Sequence, residues 1–377
     1  MPYALTLQRT ERKAQMSDNI RSATALRAYA ANLLRAAGLA PDRAEVVAEV
    51  LVEGDLMGHD THGLAQLPGY LGALVNGSMT AAGEPEVVSD RGAAVLWDGR
   101  RLPGPWLVVQ AIGLALDRAR QHGTATVVIR RSHHIACLAA YLQRVTQHGM
   151  VLLLSSSDPS VASVAPHGGV RPLMTPNPIA AGFPTANKAG GDDGAEDSDP
   201  VLMDISTSTT TNGLTGRLRA AGRHLDHPWL IDAAGQPTRD PAALFTDPPG
   251  SILPLGGLDG GHKGYALGLL VEALTAGLGG FGRADPAEGW GAAVFLQVID
   301  PAAFGGSAAF LRQTGWLSDA ARATPPVPGG APVRLPGARG LALRRQGLAE
   351  GLRLHSSILP ALMPWAERLG VARLEAA

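Results

Sequence analysis

Gly58-His59-Asp60-Thr61-His62-Gly63-Leu64, followed directly by Ala65-Gln66-Leu67-Pro68-Gly69-Tyr70, is the stretch around which the chain is organised. It sets His59, Asp60, Thr61 and His62 side by side at the end of an expected helix. Imidazole gives and takes a proton near neutral pH more readily than any other side chain. The flanking glycines let the backbone turn tightly and come close to a ligand. One interpretation is an acid/base histidine at 62 with the Thr61 hydroxyl orienting it or touching substrate. A second is a histidine capping a helix C-terminus, where the dipole favours it. A third is a zinc site on His59 and His62, although the Glu of a His-Glu-x-x-His helix is missing. Four polar residues together favour the first over a lone capping histidine.

The chain has 377 residues, enough for a sizeable core in roughly two domains. A net charge of −1 gives no long-range attraction to nucleic acid or an anionic membrane. The single cysteine, Cys137, excludes an internal disulfide and a multi-cysteine zinc site, so a reducing, cytoplasmic setting fits best. Residues 1–21 form an expected disordered leader, with Met16 a candidate true start and no secretory signal. The longest apolar run, Tyr265 to Leu278, is too short for a membrane span and contains Glu272.

Upstream of the quoted stretch, Ser22 caps an expected helix through Ala40, and Pro41 opens a second to about Met57. Leu64 to Val75 follows as a third, stopped by Asn76-Gly77. Downstream, strands are expected at 93–98, 124–129, 150–155, 179–183, 201–205 and 291–299, from β-branched and apolar runs. Helices are expected at Trp106 to Gln121, Ile135 to Gln147, His262 to Ala276 and Ser356 to Leu369. The helix from His262 is apolar nearly all round and expected to be buried. The Gly- and Asp-rich segment 187–200 is expected as an exposed insertion, with an acidic metal loop as the weaker alternative.

Several other segments carry chemistry-bearing residues. Ser132-His133-His134-Ile135-Ala136-Cys137-Leu138 follows a strand and is expected to open a helix, whose first amides suit an anion. Asp204, at a strand end, can hold a histidine in one tautomer or cap the following turn. Gly256 to Gly264, with His262 and Lys263, is either a phosphate cradle or a flexible lead-in to a helix. Gly277 to Gly282 fits G-x-G-x-x-G, but it follows a helix and is expected to be only a helix end.

These segments, taken in order, resemble the malate/L-lactate dehydrogenase family that lacks a Rossmann unit. The matching pieces are Gly58 to Gly63, Ser132-His133-His134, Ala165-Pro166-His167-Gly168-Gly169, Thr175-Pro176-Asn177-Pro178, Asp204 to Ser208, His262 to Tyr265 and Pro336-Gly337. The resemblance implies an α+β fold: a largely antiparallel sheet domain for the cofactor, residues 91–339, and a helical domain from both chain ends, 22–90 with 340–377. It implies an NAD- or NADP-dependent enzyme acting on 2-oxo or 2-hydroxy acids or related imines, and a homodimer. His62 would be catalytic, with Thr61 beside it and Asp204 in a supporting relay. His134, Ile135, Ala136, Cys137, Leu138 and Thr175 would line the cofactor, with His262, Lys263 and Gly264 near its phosphates. Gln66 and Tyr70 would face substrate, and no metal is implied.

Four residues depart from the family pattern: Gln66 for an arginine, Ala136 for a glycine, Leu214 for a lysine and Ala338 for a glutamate. Two alternatives stand beside the dehydrogenase: a metal-dependent hydrolase using His59, His62 and His134, and a dinucleotide-binding homologue without activity.

Overall fold

The computed structural model describes residues 20–186, 199–286 and 289–374. Residues 1–19 of the expected leader and 187–198 of the expected insertion lie outside the described residues. The chain divides into two compact units, residues 1–82 with 339–377 and residues 83–338.

The first unit opens with Ile20–Arg21 paired antiparallel to Leu352–Arg353, so these two residues belong to the fold and not to a leader. Helix α1 (Ala23–Ala36) begins where the Ser22 hydroxyl accepts the Ala25 amide at 3.1 Å, and it buries Leu26, Tyr29, Ala30, Leu33 and Leu34. Helix α2 (Pro41–Leu56) starts on its proline and is buried along most of its length. After Gly58, at φ +83°, the chain makes a 3₁₀ turn at Leu64–Gln66 and enters α3 (Leu67–Val75).

The second unit is built on a seven-stranded sheet: β1 (Glu86–Asp90), β2 (Ala94–Asp98), β3 (Thr124–Ser132), β4 (Val151–Ser157), β5 (Ile179–Phe183), β6 (Val201–Ile205) and β7 (Ala292–Ile299), in the order β1-β2-β3-β7-β4-β5-β6. The sheet is mixed, which corrects the largely antiparallel expectation. β2 and β3 run parallel, because α4 (Gly104–His122) lies between them in sequence and carries the chain back across the sheet. Gly123, at φ +79°, ends that helix. β1 falls with this unit, whereas the family resemblance implies a helical domain running to residue 90.

Helix α5 spans Ala139–Thr146, four residues later than expected, and α6 spans Asn212–Ala220. A small sheet of Ser251–Ile252, Leu230–Ile231 and Pro237–Thr238 packs Val164, Leu225, Leu230 and Ile252 together. Helix α7 (Gly257–Glu272) continues into a π-helical turn at Ala273–Gly277, and Gly280 closes the run at φ +63°.

α7 is not buried all round. Its covered face is Gly261, Gly264, Gly268 and Val271, while Leu269 and Leu270 are about half exposed. A Cβ on Gly264 would lie 2.3 Å from the Leu255 amide nitrogen, and one on Gly268 would meet Met174 and Thr207 at 3.4 Å. The helix is therefore seated by its smallest residues, and its leucines turn outward. α8 (Ser307–Ala323) follows β7. The chain then returns to the first unit through α9 (Ala338–Glu350) and α10 (Ile358–Leu369), where Trp365 packs near Gly72 of α3.

Candidate active site

In the first unit, the histidine loop is held from below by an acid. Asp55 is buried near the end of α2, and its Oδ2 accepts the Leu64 amide at 2.7 Å. Gly63 passes directly over this carboxylate, so a Cβ there would lie 2.3–2.5 Å from its atoms. Within the loop, the His59 amide donates to the Gly54 carbonyl and the His62 amide to the His59 carbonyl, each at 2.8 Å. Thr61 Oγ1 and His62 Nδ1 are 2.9 Å apart. A histidine whose Nδ1–H donates to that oxygen presents Nε2 as its proton-exchanging atom.

Gln66 Nε2 donates to the Thr61 carbonyl at 2.6 Å, so this side chain braces the loop. Tyr70 is fully buried in α3. Asp55 escaped the sequence analysis, although a signal for it existed. At i+4 and i+3 from Leu51 and Val52 it stands on an apolar helix face, where an ionisable group needs a partner.

In the second unit, the ladders bring the ends of β3, β4 and β6 and the starts of β5 and β7 to one edge of the sheet: Ala292 pairs with Ser132, Ala293 with Ser157, and Ile179 with Ile205. The expected cofactor segment leaves from this edge. It does not open a helix at once, because residues 133–138 are irregular and α5 begins only at Ala139. The half-buried His134 ring stacks on Trp290 at 4.9 Å, and the buried His133 ring meets the same indole edge-on at 4.8 Å. Burial, with Arg101 nearby, lowers the His133 pKa to about 3, so this imidazole is neutral at physiological pH. The side chains of Ile135, Ala136, Cys137 and Leu138 are all buried.

Ala136 sits at φ +59°, a left-handed conformation in which a methyl group is strained. That accounts for the family's glycine at this position. Ala136→Gly is expected to stabilise the protein by about 0.5–1 kcal/mol, the relieved strain exceeding glycine's extra unfolded-state entropy. The urea midpoint measures this, and a lower midpoint for the glycine variant would refute it.

Asp204 neither caps the turn after it nor stands unattached. Its Oδ2 accepts the Ala139 amide at 2.8 Å, at the first residue of α5, and the Cys137 thiol at 3.6 Å. A carboxylate at a helix N-terminus is favoured by the dipole. Burial and the adjoining carboxylate push the Cys137 thiol pKa well up, so the sulfur stays protonated.

Thr175 is buried. Its hydroxyl donates to Asn177 Oδ1 at 2.5 Å, and Asn177 Nδ2 donates to Glu272 at 2.9 Å and to the Gly268 carbonyl at 3.2 Å. Glu272 in turn pairs with Arg283 at 2.8 Å. With its hydrogen committed, the Thr175 oxygen can serve a ligand only as an acceptor.

The glycine-rich stretch before His262 is not a loop, since Gly257 to Gly264 form the first two turns of α7. His262 and Lys263 are exposed on those turns, and the His262 ring is 5.8 Å from that of His167. The amides of Gly260 and Gly264 are committed to the Gly256 and Leu255 carbonyls, so the expected cradle of loop amides does not form there.

The second unit thus offers a flat stacked surface at His134 and Trp290 and a hydroxyl acceptor at Thr175. The model of the malate/L-lactate dehydrogenase family matches residues 21–363, and the chain belongs to that family. It is 33% identical over 360 residues to an L-lactate dehydrogenase from Cupriavidus necator, covering 93% of this chain and 98% of that one. It is 32% identical over 341 residues to a (2R)-3-sulfolactate dehydrogenase (NADP(+)) from Chromohalobacter salexigens, covering 88% and 94%. In three dimensions it resembles the Δ1-piperideine-2-carboxylate reductase of Pseudomonas syringae, with TM-score 0.77 and 30% identity over 92% of this chain and 99% of that one. The chain is an NAD(P)-dependent oxidoreductase, and the metal-dependent hydrolase alternative finds no support in these relatives.

Proposed function

We propose that this enzyme interconverts a C–OH and a C=O group, or a C–N and a C=N group, on the carbon next to a carboxylate, with His62 as acid and base. The observation that carries the proposal is the braced loop in which Thr61 holds His62 Nδ1. The cofactor, when bound, supplies or accepts the hydride. His62 gives a proton from Nε2 to the substrate oxygen or nitrogen during reduction and recovers it during oxidation. Thr61 keeps the Nδ1 proton in place through both directions. Asp204, anchored at the start of α5, is assigned the supporting place in the relay. His134 to Leu138 and Thr175 hold the nicotinamide end, and His262, Lys263 and Gly264 are assigned to the phosphates. Gln66 and Tyr70 shape the substrate side of the loop.

An arginine at 66 would grip a substrate carboxylate with two charged hydrogen bonds, which glutamine cannot do. A bulkier or cyclic substrate, bound by shape as well as charge, suits the glutamine better than a small 2-oxo acid. The test is oxidation of NADH and NADPH against a panel of 2-oxo acids and cyclic imino acids. Turnover is expected with at least one member, and a blank panel with dinucleotide still bound would favour the inactive homologue. A cytoplasmic homodimer completes the proposal. Leu269 and Leu270 on α7 and Trp316 and Leu317 on α8 are exposed apolar residues that support an interface between copies. Among the described residues, no helix is long and apolar enough to cross a membrane.

A further inference from the structure

Glu272, the last residue of α7, has no part in the proton chemistry above, yet it heads a chain of side chains that ends on the buried Thr175. Arg283 donates to its Oε1 through Nε at 2.9 Å and Nη2 at 2.8 Å. The same Glu272 oxygen accepts Asn177 Nδ2 at 2.9 Å, and Asn177 Oδ1 accepts the Thr175 hydroxyl at 2.5 Å. We propose that Glu272 and Arg283 are positioning residues that fix which end of the Asn177 amide faces Thr175. They thereby hold the Thr175 hydroxyl as an acceptor, which selects a ligand group that donates: a primary carboxamide over a methyl ketone of the same shape. The proposal rests on the assignment of Thr175 to the nicotinamide end.

Each link in the chain has one polarity. A guanidinium only donates and a carboxylate only accepts. Asn177 Nδ2 faces two oxygens, Glu272 Oε1 and the Gly268 carbonyl at 3.2 Å, so turning the amide over would set oxygen against oxygen twice. Asn177 is fully buried, and a reversed amide would have no water to relieve it. Its Oδ1 therefore faces Thr175 and takes the one hydroxyl hydrogen. The Asp158 amide, 3.4 Å from Thr175 Oγ1, is a further donor to that oxygen. A hydroxyl placed in this way has no hydrogen to give and a lone pair to offer.

The surroundings keep the chain from rotating. Asn177 sits at φ +42°, in the left-handed region that asparagine enters more readily than most residues. Arg283 also donates to the Asp158 carbonyl at 3.0 Å and the Val161 carbonyl at 2.8 Å, which ties the loop after β4 to the pair. Directly after Glu272 the helix widens into its π turn, where Thr275 Oγ1 lies 2.8 Å from Ser157 Oγ at the end of β4. Single π turns within helices are frequent at functional sites.

The test is dissociation constants, by calorimetry, for whichever of NADH and NADPH binds more tightly and for its 3-acetylpyridine analogue, which carries a methyl group in place of the amide nitrogen. The wild type should prefer the carboxamide about tenfold, roughly one hydrogen bond's worth. Glu272→Ala leaves the Arg283 guanidinium beside Asn177, so the amide turns its oxygen outward to it and Thr175 becomes a donor. The preference should then fall below about twofold or reverse. Glu272→Gln, whose oxygen Arg283 keeps in place, should retain it. Thr175→Val should abolish the preference, and adding Glu272→Ala to it should move the ratio by less than about twofold, because the two act through one contact. Asn177→Gly, which suits the positive φ, should also abolish it and carries the test if Glu272→Ala does not fold. No preference in the wild type, or equal losses for both ligands in Glu272→Ala or Asn177→Gly, would overturn the proposal and leave these residues a purely structural role. If Thr175→Val binds the carboxamide ligand as the wild type does, Thr175 is not at the nicotinamide end. If neither dinucleotide binds the wild type, the nicotinamide assignment itself fails.

Discussion

His62→Ala is expected to lower kcat by about 10²- to 10⁴-fold and to leave dinucleotide affinity nearly unchanged. The range is that of a positioned general acid or base. The loss should fall on kcat and kcat/KM together, because the proton is exchanged only as the substrate reaches its transition state. Two features make the experiment clean. The His62 backbone is set by its own amide bond to the His59 carbonyl, and the loop is also braced by Gln66 and Asp55. The pH dependence discriminates further, since the limb of the kcat profile that reports the His62 ionisation should vanish in the variant. A variant that keeps wild-type turnover would remove His62 from the mechanism.

Gly63→Ala should be the most disruptive small change in the first unit. The new Cβ would enter the space of the Asp55 carboxylate, 2.3–2.5 Å from its atoms. Asp55 cannot easily give way, because it is buried and holds the Leu64 amide at 2.7 Å. Overpacking of this kind destabilises by about 1–3 kcal/mol, and displacing a buried carboxylate from its donor adds to it. A drop of about 2–4 kcal/mol in urea unfolding is expected, together with a fall in kcat as the histidine loop shifts. Gly113→Ala is the control: it lies in α4 with nothing within 4 Å of the added carbon, and should be neutral or slightly stabilising. Equal behaviour of the two variants would show that Asp55 does not fix the loop.

Where local chemistry decides local structure, the chain was legible. Ser22 as a cap, Pro41 at a helix start, Gly123 at a helix end and the largely apolar strands at 179–183 and 201–205 all stand as expected. Apolar periodicity failed on helices that bury small residues. α8 buries Gly315 and Ser318, and α9 buries Leu341 and Gly347, so neither shows an apolar stripe. α7 misled for the same reason, since its leucines face outward and its glycines inward. α5 starts later than the sequence suggests because its cap, Asp204, is supplied by a distant strand.

His62, Thr61 and the glycines beside them could be singled out from sequence because proton exchange and tight turning are properties of single residue types. Which groups surround them was a matter of the fold alone. Asp55 under Gly63, Trp290 against His134, Asp204 on the first amide of α5 and two arginines, Arg130 and Arg131, on Asp98 join positions up to 156 residues apart, from His134 to Trp290. Strand register and the close approach of glycines bring such positions within bonding distance. Neither is written in any short stretch of chain, because both depend on what lies across the contact.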